Sequence, residues 1–143
     1  MKKTQLSHIS WGRVLLTGLV VYVSSYLIVI LIITIYAFIL AFQAQGAPDQ
    51  AQINEFAIQV SPWGVPVLAV LLTFGAAFWV LRKVAASKSL HGLLIGFMVA
   101  IISVIISIIT GLGTDILDLM WFFLTMGAGW FGGHFSHCRL RQV

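Results

Sequence analysis

VLLTGLVVYVSSYLIVILIITIYAFILAF, residues 14–42, runs for about 29 residues without one charged side chain. A helix rises about 1.5 Å per residue and a hydrocarbon core is roughly 30 Å thick, so about 20 apolar residues suffice to cross it. The stretch is longer than that and predicts a spanning helix that tilts or projects beyond one leaflet. It also exceeds the roughly 7–15 residues of a secretory signal core. The nearest small-residue site, 44–47, is followed by Pro48, which disfavours cleavage. Lys2 and Lys3 ahead of the run therefore predict an uncleaved first span.

Working outward, three further apolar runs follow at about 62–81, 90–110 and 116–135. The chain is 60% hydrophobic and 8% charged, with a mean hydropathy of +1.04. Too little polar surface is available to cover a water-soluble globule of 143 residues. The expected fold is an all-α, four-span membrane bundle forming a single domain over 1–143.

Charge fixes the expected orientation. Lys2, Lys3 and Arg13 precede the first run, Arg82, Lys83 and Lys88 join the second to the third, and Arg139 and Arg141 follow the fourth. Asp49 and Glu55 lie between runs one and two, and Asp115 and Asp118 at the turn between three and four. Basic residues mark the cytoplasmic side of short loops, so both termini are expected inside. A net charge of +4 spread over two termini and one loop follows from this rule and from attraction to anionic lipid, not from nucleic-acid binding. The lone Cys138 forbids an internal disulfide.

The connection 43–61 is the one sizeable segment expected outside the bilayer. Ile53, Phe56, Ala57 and Val60 recur at i, i+3, i+4 and i+7 among Gln50, Gln52, Asn54 and Glu55. This spacing predicts a short amphipathic helix lying on the outer membrane surface or on the bundle. Pro62 and Pro66 are read as the first turn of the second span, where proline costs no helical hydrogen bond. Trp63 and Trp79 are read as belt residues at opposite interfaces. The turn at 111–114 makes runs three and four antiparallel neighbours, with Thr114 or Asp115 as N-cap and Asp118 favoured in the first turn.

Inside the bilayer the clearest pattern is a stripe of small residues. Gly92, Gly96, Ala100, Ser103, Ser107 and Gly111 succeed one another at spacings of four and three. Thr125, Gly129 and Gly133 do the same on the fourth run. Membrane helices associate through close van der Waals approach, which small residues permit. The stripe therefore predicts helix contact, within the chain or with another subunit.

Tyr22, Ser25 and Tyr26 place hydroxyls on one face of the first run. They suit interhelical hydrogen bonds, or a small polar lining shared with Ser103 and Ser107. His91, His134 and His137 are weak candidates for a metal, haem or chlorophyll ligand. His91 and His134 fall at similar depth, and His134 and His137 share a helix face. No CxxC or HExxH accompanies them, so no metal site is expected. No charged group lies in the middle of a span, and no nucleophile triad, intramembrane Asp pair or nucleotide loop is present, so enzymatic and ion-coupled chemistry are not expected.

Three stretches carry a resemblance: Trp11-Gly12-Arg13, then Leu90-His91-Gly92-Leu93-Leu94-Ile95-Gly96, then the Gly-rich 127–133 followed by Arg139 and Arg141. In these the chain resembles small, uncharacterised four-span bacterial integral membrane proteins. The resemblance implies the fold class and a bacterial plasma membrane, and carries no activity. Three functions fit these readings. The first is a non-enzymatic accessory or scaffold subunit, packed against a larger membrane complex or itself. The second is a small channel or carrier for a neutral or hydrophobic solute. The third is a haem- or chlorophyll-binding subunit.

Overall fold

The computed structural model describes residues 11–81, 88–109 and 116–138. They form four helices: α1 (Trp11–Ala44), α2 (Gln50–Val80), α3 (Lys88–Ile109) and α4 (Ile116–Cys138). Each is long and apolar enough to cross a membrane. Gly111, Thr114 and Asp115 lie outside the described residues, as does the side chain of His137.

α1 and α2 are much longer than a bilayer requires. Their 34 and 31 residues span about 51 and 46 Å at the usual rise. They meet at a tight connection, residues 45–49. Gln45 takes a left-handed backbone conformation (φ 49°), and the Gly46 N–H donates to the Ala41 carbonyl at 3.4 Å. That is the 6→1 bond of a Schellman stop, which satisfies a carbonyl the helix would otherwise leave open.

α2 differs from the sequence expectation. The segment read as a separate amphipathic helix and the second span form one continuous helix from Gln50, with Pro62 and Pro66 in its interior. Asp49 supplies the start, its carboxylate accepting from the Ala51 N–H at 2.9 Å. Ile53, Phe56, Ala57 and Val60 are half-buried, whereas Gln50, Gln52, Asn54 and Glu55 are exposed. Phe56 stacks on Tyr36 of α1 with ring centroids 4.0 Å apart. Packing against α1 thus holds the helix together across two prolines, each of which removes an i→i−4 hydrogen bond.

Around the bundle, α1 touches α2 and α3, and α4 touches α2 and α3. α2 and α3 also meet across the diagonal, while α1 and α4 make no contact among the described residues. The α3–α4 interface is the most extensive. Two small cores close the half nearer the termini: Val14 with Ala77, Leu81 and Ile95, and Val21 with Ala69 and Val99. Outward-facing side chains are large and apolar, with Leu16, Phe38 and Phe42 at 64%, 76% and 88% exposure. Such a surface suits hydrocarbon as its solvent.

Candidate functional site

The small-residue stripe on α3 changes role halfway along. Near the termini it is a contact surface. A Cβ on Gly92 would collide with the Gly129 carbonyl, one on Gly96 would lie 2.5 Å from the Thr125 carbonyl, and one on Gly133 would lie 2.5 Å from the Lys88 carbonyl. On the neighbouring face, a Cβ on Gly132 would come within 2.6 Å of the Phe74 carbonyl of α2. Backbones meet directly at these positions, and only glycine allows it.

Towards the other end the glycines run out on α4, where residues 116–124 read ILDLMWFFL. The helices are no longer drawn together there, and a cavity of about 630 Å³ opens between them. Ala100, Ser103 and Ser107, the continuation of the stripe, line it. Tyr22 and Tyr26 form the α1 side, their rings 5.3 Å apart. Trp63 of α2 meets Trp121 of α4 edge to face at 6.1 Å, and both line the space, as does Phe122. Pro62 and Pro66 contribute on α2, and Asp118 on the first turn of α4.

Its chemistry follows from this lining. The walls are mainly apolar and aromatic, with the hydroxyl-bearing side chains of Tyr22, Tyr26, Ser61, Ser103 and Ser107 interspersed. Thr125 also lines the cavity, but its hydroxyl donates to the Trp121 carbonyl at 2.7 Å. Volumes of roughly 300–1,000 Å³ with a few placed polar groups are typical of small-molecule sites. Pro62 and Pro66 have no N–H to offer the carbonyls of Ile58 and Pro62, so the α2 wall loses two helical hydrogen bonds here.

Of the residues the sequence singled out, Tyr22, Tyr26, Ser103 and Ser107 come together around this cavity. Ser25 does not: it is fully buried, and its hydroxyl donates to the Val21 carbonyl at 2.9 Å. His91 and His134 occupy different surroundings. His91 is 2% exposed, whereas His134 is exposed and stacks on Trp130 of its own helix at 5.6 Å. Among the described residues no three His, Cys, Asp or Glu side chains gather around one point.

Pro62, Pro66, Trp121 and Asp118 were not read as site residues from the sequence. Two prolines four apart within an apolar stretch were the available signal. Read locally, that signal points to a helix start, and only the continuous helix from Gln50 puts the prolines in an interior. The chain matches no protein-family model, no curated protein and no solved structure.

Proposed function

We propose that this is a non-enzymatic membrane protein that takes a small, predominantly apolar solute into the cavity, as a binding protein or carrier. The observation that carries the reading is the contrast between the two ends of the bundle. Close glycine packing and the Val14–Ala77–Leu81–Ile95 core close the termini half, and a 630 Å³ aromatic-walled space lies in the other. A continuous channel would need a path through that core, so occlusion at one end favours a carrier or receptor. The reading invokes no cofactor. The charge asymmetry supports cytoplasmic termini, which would open the cavity towards the outer face of a bacterial plasma membrane.

Binding of the neutral fluorophore N-phenyl-1-naphthylamine to purified protein in a mild detergent tests this. Saturable binding is expected, lost in Ser103→Phe, which fills the cavity from an exposed position. Binding no greater than in empty micelles, or unchanged in Ser103→Phe, would remove the reading.

A second reading, an accessory subunit of a larger membrane complex, draws on open helix faces. Most large apolar side chains of α1 are exposed, and a Cβ on Gly75 or Gly127 would meet nothing within 4 Å. Purification from native membranes, with mass and co-purifying chains read together, separates the two. Stoichiometric partners lost on Gly75→Leu or Gly127→Leu would favour the accessory role. A lone monomer or homo-oligomer would favour the carrier.

A further inference from the structure

Resting on the carrier or receptor reading, we infer that the solute is a lipophilic organic cation, held by its apolar body among the aromatic rings and by its charge beside Asp118. Among the described residues the lining contains one charged side chain, the Asp118 carboxylate, and no basic one. A carboxylate is well tolerated there because it lies in the first turn of α4, where the helix dipole favours negative charge. Five aromatic side chains, Tyr22, Tyr26, Trp63, Trp121 and Phe122, line the same space. Aromatic faces attract cations and repel anions, indole most strongly, and the effect grows as water is excluded. Both features select the same sign of charge.

The surroundings of the cavity carry the same bias. Asp49, Glu55 and Asp118 lie at the end of the bundle where the cavity sits, and the described bases, Arg13 and Lys88, lie at the opposite end. A cation approaching that end meets a favourable field, and an anion an unfavourable one. An uncharged solute would use the apolar walls alone, with no charge for the carboxylate or the ring faces to attract. An anionic one would oppose both the carboxylate and the ring faces.

Two ions of the same shape and opposite charge provide the test. Purified full-length protein is loaded with N-phenyl-1-naphthylamine, and tetraphenylphosphonium or tetraphenylborate is titrated in to displace it. The expected result is displacement by the cation at a concentration at least about tenfold lower than by the anion. Asp118→Asn should shrink that ratio at least about threefold, and Asp118→Glu should keep it. Equal displacement by both ions in the wild-type protein would overturn the inference without recourse to any variant. So would a ratio unchanged in Asp118→Asn. In either case the neutral fluorophore would still report the cavity, and only the sign of the solute would be wrong. Failure of the fluorophore itself to bind saturably would instead overturn the carrier or receptor reading, and this inference with it.

Discussion

A Cβ on Gly129 would run into the Gly92 carbonyl and lie 3.0 Å from the Gly96 amide nitrogen, whereas one on Gly127 would meet nothing within 4 Å. Backbone cannot yield as a flexible side chain can, so the two positions should respond differently to the same change. Gly129→Leu is expected to lower stability by at least about 2 kcal/mol, read as earlier loss of helicity in a detergent-unfolding titration. Gly127→Leu should stay within about 0.5 kcal/mol of the parent protein. Comparable losses in both would mean that close approach is not what the glycines provide. Thr73 offers the opposite case. It is fully buried, and its hydroxyl has no hydrogen-bond partner among the described residues. An unsatisfied buried hydroxyl costs roughly 1–3 kcal/mol, so Thr73→Val should be neutral or stabilising in the same titration. A loss above about 1 kcal/mol would show that the hydroxyl is satisfied after all.

α2 is the element in which sequence and structure diverge, and the reason is physical. Proline punctuates a local reading, which places a helix start at Pro62. The forces that carry the helix through it are not local: the Asp49 cap lies thirteen residues upstream, and Phe56 packs on Tyr36 of another helix. By contrast α3 and α4 were legible, because small residues four apart state a contact whatever the partner. The cavity was legible to the same degree. Hydroxyls stand out in an apolar run, and residue type alone marks Tyr22, Tyr26, Ser103 and Ser107. Trp63 and Asp118 had sufficient local explanations as a belt residue and a helix-start acid, and only the adjacency of α2 and α4 gives them a second role. If the prolines hold the α2 wall open, replacing both should trade binding for stability. Pro62→Ala combined with Pro66→Ala restores two backbone donors and should raise the unfolding midpoint. It should also weaken N-phenyl-1-naphthylamine binding by at least about threefold. Unchanged binding would show that the helix keeps its path without them.

At the scale of the whole molecule, one gradient links packing to function. Glycines on α3 and α4 concentrate contact near the termini, so the diagonal α2–α3 contact forms beside them through Ala69, Ala77, Ile95 and Val99. The opposite half has larger side chains and two prolines, and there the four helices enclose space. Water and solute should therefore reach the cavity from one side of the membrane only. In a Cys138→Ser background, Ser103→Cys should react with a membrane-impermeant maleimide added outside intact cells. Ala77→Cys, at a position with 0% exposure, should resist the reagent from either side. A carrier must at some stage part the Val14–Ala77–Leu81–Ile95 core to release its solute inward, whereas a receptor need not. Saturating solute should then expose Ala77→Cys to reagent added to inside-out vesicles if the protein is a carrier. Continued protection at every solute concentration would leave binding without transport, because a solute leaving at that end of the bundle must pass this core.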